Sequence, residues 1–183
     1  MNRFVTFVCA AAALGAAPAL AQPKATANAG KEEVHASVIG PDGRDHGVVT
    51  LKQTSTGVLV STNLTGLPEG EHGFHFHEKG MCETQQKFTT AGGHYAPGGS
   101  KHGLMVPGGP HGGDMPNQHV DANGKLITQV LNTGVTLTEG PKSLFDADGS
   151  ALVIHAKPDD YKSQPSGDAG DRIACAVVAA PRN

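Results

Sequence analysis

Six of the ten histidines in this 183-residue chain fall between His72 and His111, in the runs HGFHFHEKG, AGGHYAP, SKHG and GPHGGD. His75 and His77 are one residue apart. On an extended strand, side chains alternate between faces, so both imidazoles project to one side while Phe74 and Phe76 turn to the other. Two imidazoles so placed can grip a single metal ion, although an isolated His-x-His serves equally as a pair of surface histidines. The downstream residues favour the metal. His94, His102, His111 and Asp114 follow, the last two spaced as His-x-x-Asp. Neutral imidazole suits copper, zinc, iron or nickel, whereas calcium and magnesium want oxygen. Three imidazoles and one carboxylate fill a tetrahedral zinc ion and leave no open position, which describes a structural site. His75, His77 and His155 remain for a second ion, and three or four nitrogens with one open face suit copper, which cycles between two oxidation states. No thiolate or methionine cluster accompanies them, which disfavours an electron-transfer copper site.

These residues need rigid elements to hold them, and the sequence offers strands. Residues 34–39, 46–53 and 57–64 alternate apolar and polar side chains, and the turn signals Gly40-Pro41-Asp42-Gly43 and Gly66-Leu67-Pro68-Glu69-Gly70 end the first and the third of them. The His75–His77 segment is the fourth strand. Periodicity then disappears over residues 78–116, and a loop of that length points to function. Patterning resumes near His119 and Val120, continues over 125–131 and 151–155, and ends with 172–178 after a second irregular loop at 156–171. Eight short strands, two long loops and no helix predict an all-β antiparallel barrel or sandwich in a single domain.

The N-terminal run carries Arg3, an apolar stretch and Ala19-Leu20-Ala21, the pattern of a secretory signal peptide spanning residues 1–21 and cleaved near Ala21. The apolar stretch is too short for a membrane span. Residues 22–32 are small and polar and read as a flexible lead-in to a domain at 33–183. Export leaves two cysteines, Cys82 and Cys175. In an oxidising compartment such a pair suggests one disulfide, two buried thiols being the alternative. The formal net charge of −3 comes with no basic cluster, which excludes nucleic acid as a partner.

GFHFHEKG, AGGHYAP, HGGD, IHAKPDD and GDRIAC, in this order, resemble the signature segments of the copper/zinc superoxide dismutases. The resemblance implies an eight-stranded antiparallel Greek-key β-barrel with two long functional loops. It also implies disproportionation of superoxide, a small anion, to O₂ and H₂O₂ by alternating reduction and oxidation of copper. His75, His77, His94 and His155 match copper ligands, His94 being shared with a zinc held also by His102, His111 and Asp114. His94 and Arg172 are the implied catalytic residues, Arg172 attracting the anion beside copper. Asp159 matches a carboxylate that ties a copper-ligand histidine to a zinc-ligand one, and Cys82 and Cys175 match the family disulfide. The insertion after Cys82, the absence of the cytosolic branch's lysine-and-glutamate pattern from 156–171, and the signal peptide are similar to the bacterial periplasmic branch. Periplasmic export from a Gram-negative cell is therefore expected, with no membrane anchor and a monomeric or homodimeric state. Lys87 becomes the candidate steering lysine, and His72 a structural histidine. A copper or zinc store on the same scaffold would not need Arg172 or Asp159, and a zinc hydrolase would need an open zinc position and a general base.

Overall fold

The computed structural model describes residues 33–179; the expected signal peptide, the lead-in segment and residues 180–183 lie outside the described residues. Eight strands form one antiparallel sheet: β1 (Glu33–Ile39), β2 (Asp45–Gln53), β3 (Val58–Leu64), β4 (Gly70–His77), β5 (Asp114–Val120), β6 (Leu126–Asn132), β7 (Ser150–His155) and β8 (Arg172–Val178). Their order in space is β5-β4-β7-β8-β1-β2-β3-β6, which curls into a nearly closed barrel. Alternation drives the curl. In β1 every second residue is buried, and Ala36, Val38, Val49, Leu51, Val60 and Leu64 meet Phe74, Phe76, Leu152 and Ile154 inside. The expected strands are all present. β5, however, starts at Asp114, inside the segment read as loop, because Phe74 and His75 pair with Met115 and Asp114. Two single turns of 3₁₀ helix, at Thr84–Gln86 and Thr89–Ala91, also interrupt the first loop, where no helix was expected.

β4 and β7 differ from the other strands in being covered on both faces. From His72 to His77, and along the whole of β7, every residue is buried. Phe74, Phe76, Leu152 and Ile154 face the barrel core. The opposite face of β7, Ala151 and Val153, packs under Phe88 and Ala91 of the first loop, together with Cys175. The Cys82–Cys175 disulfide ties that loop to β8, with Cα atoms 5.7 Å apart. A sheet face roofed by loops leaves a dry compartment, and His75 and His77 project into it.

Candidate metal centre

Strand pairing delivers three of the site's side chains in register. His75 and His77 lie opposite Val153 and Ala151 of β7, so His155 occupies the same face two residues beyond Val153. A bulge between Ile154 and His155 sets Arg172, in place of Ile173, opposite His155. Strict alternation would have turned Arg172 toward the barrel; with the bulge, Ile173 packs on the core instead. His94 arrives by a short bridge to His77, and Tyr95 continues it by donating its N–H to the Phe76 carbonyl at 2.8 Å. The turn bearing His111 and Asp114 is pressed against the same strand, and a Cβ on Gly113 would strike the Phe76 carbonyl. Only glycine fits there.

The result is two groups of side chains. His75, His77, His94 and His155 form one, and His94, His102, His111 and Asp114 the other; within each, one ligand atom per residue lies within 4.8 Å of all the rest. The two groups share His94. All seven residues are buried except His111, which is partly exposed. Every predicted ligand is thus brought together, and no predicted ligand is stranded elsewhere. The remaining histidines are apart from the site. His35 and His119 are exposed, and His46 is buried against the Thr65 carbonyl. His72 has one ring nitrogen 2.7 Å from the His155 carbonyl and the other 2.9 Å from the Pro68 carbonyl, a backbone brace beneath the site.

Hydrogen bonds on the outer side of each ring decide which nitrogen is free. The Nδ1–H of His77 donates to the Gly92 carbonyl at 3.0 Å, and that of His155 to the Gly170 carbonyl at 3.2 Å. Their Nε2 atoms then face each other at 3.3 Å, each presenting a lone pair. His75 donates from Nε2 to Asp159 at 2.8 Å and leaves Nδ1 without a partner; His102 donates from Nε2 to the other Asp159 oxygen at 3.0 Å. His94 donates from Nδ1 to Asp114 at 2.8 Å, and its Nε2 has no partner. The Nδ1 atoms of His102 and His111 are also buried, with Asp114 carboxylate oxygens 3.0 and 3.4 Å away. Buried polar atoms are normally paired. Here the inward-facing ring nitrogens, with the Asp114 carboxylate, converge on two points, and a cation at each would satisfy them, which is the fit expected of two bound metals. Outer partners of this kind fix tautomer and ring orientation.

Charge follows the same division. Burial holds His77 well below the ordinary imidazole range, and repulsion from His94, Arg172 and His155 adds to it. Burial also pushes His94 down to about 4, against the pull of Asp114, and His155 down to about 3. These rings are neutral and their lone pairs available. His102 behaves in the opposite way: burial opposes its charge, but hydrogen bonding to Asp114 and Asp159 raises it to about 9. The two carboxylates are held well below the usual range, their own burial being outweighed by the histidines around them. Without metal, His102 carries a proton that a bound cation would replace.

A mouth of about 390 Å³ opens over the first group, bounded by His77, His94, His111, His155, Pro165, Ser166 and Arg172. Among the described residues that line it, Arg172 alone carries a full charge. Its guanidinium donates to the Phe88 and Gly92 carbonyls, both at 2.6 Å. Gly92 therefore accepts from Arg172 and His77 together. These backbone anchors escaped sequence reasoning because a carbonyl carries no residue type. Lys87, the candidate steering lysine, is exposed beside Phe88 and does not line the mouth. Asn117 was also overlooked: its Oδ1 accepts the Asp159 N–H at 2.8 Å and its Nδ2 donates to the Asp159 carbonyl at 2.9 Å. An amide at the third position after Asp114 was the available signal.

Comparison with known proteins agrees with this geometry. The family model described as copper/zinc superoxide dismutase (SODC) matches residues 45–178. "Superoxide dismutase [Cu-Zn] 2" of Aquifex aeolicus is 51% identical over 148 residues, covering 80% of this chain and 86% of its own. Among solved structures, a double mutant of a SOD-like protein from Bacillus subtilis superposes with a TM-score of 0.76 at 36% identity, covering 79% of this chain and 96% of its own. The Cu/Zn superoxide dismutase from Brucella abortus gives a TM-score of 0.66 at 30% identity, over 80% of this chain and 99% of its own.

Proposed function

The chain belongs to the copper/zinc superoxide dismutase family, and from that premise we propose that His75, His77, His94 and His155 hold copper while His94, His102, His111 and Asp114 hold zinc. The enzyme is an oxidoreductase that converts superoxide to O₂ and H₂O₂. When bound, copper supplies the one-electron redox centre and zinc a fixed positive charge beside it.

The protein's own residues do the rest. Arg172 attracts the small anion and orients it in the mouth, its planar fork held by two carbonyls so that the charge does not wander. Asp159 keeps one oxygen on His75 and the other on His102, so the two metal groups cannot shift independently. His94 is common to both groups, and its Nε2 is the atom that takes up a proton and returns it to the product. Loop cover over β4 and β7 keeps bulk water from the rings. The carrying observation is that ligand atoms of these seven residues converge in two groups that share one histidine.

Every family ligand position is filled, which supports an enzyme over a metal store. We also propose export to the periplasm of a Gram-negative cell after removal of residues 1–21, with the catalytic domain at 33–183; the disulfide and the bacterial relatives support that reading. No helix among the described residues is long and apolar enough to cross a membrane. Each chain carries all the residues named, so a monomer would be as competent as a homodimer. Elemental analysis of the purified protein beside a superoxide-disproportionation assay tests the assignment. About one copper and one zinc per chain, with activity, is expected. Zinc alone, with no activity restored by added copper, would move the protein to the metal-store class.

A further inference from the structure

We propose that Gln164 is a positioning residue that transmits zinc binding at His102 to the wall of the substrate mouth. The inference rests on the assignment of His102 to zinc. Gln164 reads both backbone polar groups of that histidine: its Oε1 accepts the His102 N–H at 3.0 Å, and its Nε2 donates to the His102 carbonyl at 2.8 Å. A side-chain amide that matches one residue's N–H and C=O together fixes that backbone in position, not merely in proximity. The two residues after Gln164, Pro165 and Ser166, line the mouth. One side chain thus joins a zinc-group backbone in the first loop to the mouth wall in the second.

The segment it holds is bonded to itself. Asp160 accepts the N–H groups of Lys162 and Ser163, Gly167 donates to the Ser163 carbonyl, and the Gly167 carbonyl accepts from Asp160. These bonds close residues 160–167 on themselves. At the far end, Gly167 sits with positive φ against the contact between Asp159 and His102, where a Cβ would overlap the carboxylate. Residues 160–167 are therefore wrapped around the His102 ring and clasped to its backbone. With zinc on His102, the ring, its backbone, Gln164 and the mouth wall form one chain of contacts. Without zinc, the ring has only Asp159 and Asp114 to hold it, and the chain of contacts to the wall loses its fixed end.

Hydrogen exchange read by mass spectrometry tests this on the folded protein, with copper bound, with and without zinc. In the parent, adding zinc is expected to slow exchange both around His111–Asp114 and across 162–167. In Gln164→Ala, zinc binds about tenfold more weakly; at saturating zinc the 111–114 region is still protected, but 162–167 exchanges as in the zinc-free protein. Gln164→Glu keeps an acceptor for the His102 N–H but turns an oxygen toward its carbonyl, and is expected to behave like the alanine variant. A merely structural role would speed exchange equally in both metal states and leave the zinc-dependent difference intact. That result, or parental zinc protection of 162–167 in both variants, overturns the coupling. Absence of zinc protection anywhere in the parent overturns the coupling and the zinc assignment together.

Discussion

Replacing Cys82 and Cys175 together by serine separates two jobs of the disulfide. The bridge spans a sequence separation of 93, and closing a loop of that size removes about 4 to 5 kcal/mol of chain entropy from the unfolded state. In a domain of this size ~1 kcal/mol moves Tm by ~2–4 °C, so a fall of about 10–15 °C is expected. The second job is to hold the first loop, whose Phe88 and Gly92 carbonyls anchor Arg172. That loop has other restraints. Phe88 is fully buried against Val153 and Ala151, worth about 1.5–3 kcal/mol. Each hydrogen bond from the half-buried guanidinium adds about 1–2 kcal/mol. Together they keep the open form below about one molecule in a hundred with the bridge absent. Well below its melting point, the double variant should therefore retain kcat/KM within about twofold of the parent. Scanning calorimetry and pulse-radiolysis kinetics on metal-loaded protein supply the two readings. A Tm within about 3 °C of the parent, or a more than tenfold activity loss in protein still fully folded, would refute the reasoning.

Arg172→Ala should slow kcat/KM by about tenfold or more and flatten its dependence on ionic strength, because the mouth then loses its one charged side chain; an unchanged salt slope at full copper occupancy counts against it. The metal-free protein should lose stability as pH falls below 6.5, since His77, His94 and His155 are lowered, the latter two to about 4 and about 3, and stay neutral while the unfolded chain binds protons. His102, raised to about 9, works in the other direction and adds stability as pH falls from there to 6.5, so urea midpoints should peak near neutral pH and decline on both sides. Ser150 has a hydroxyl that is fully buried without a partner, so Ser150→Ala should raise stability by about 0.5–2 kcal/mol in urea melts; a loss would mean the hydroxyl has a partner after all.

Side-chain chemistry was legible in the sequence and backbone chemistry was not. Histidines with fixed spacing advertise a metal whatever the fold, and strict alternation in β1 or β3 marks a strand with one wet face. β4 and β7 broke that rule because loops roof their outer face, and no local pattern reports a roof. The start of β5 was read as loop because His111-Gly112-Gly113 precedes it and Pro116 lies within it, while its pairing with β4 depends on residues far away in sequence. The carbonyls that orient His77, His155 and Arg172 belong to Gly92, Gly170 and Phe88, whose side chains say nothing about the part their backbones play.

The scatter of the site along the chain bears on how the protein matures. The first metal group is not complete within one segment: it draws on β4, the first loop and the end of β7, and it closes only when Phe74 lies opposite Ile154, whereas the second lies wholly between His94 and Asp114. Such long-range pairing is late and slow in folding, because the intervening chain must be ordered before the contact returns anything. A partly folded chain therefore lacks the first group while already carrying the second group's four residues on one stretch, and tight capture at the first begins only at the last pairing step. Occupancy of the first group in a newly made population would then count finished molecules, and its chelator resistance would measure folding yield without any probe of structure.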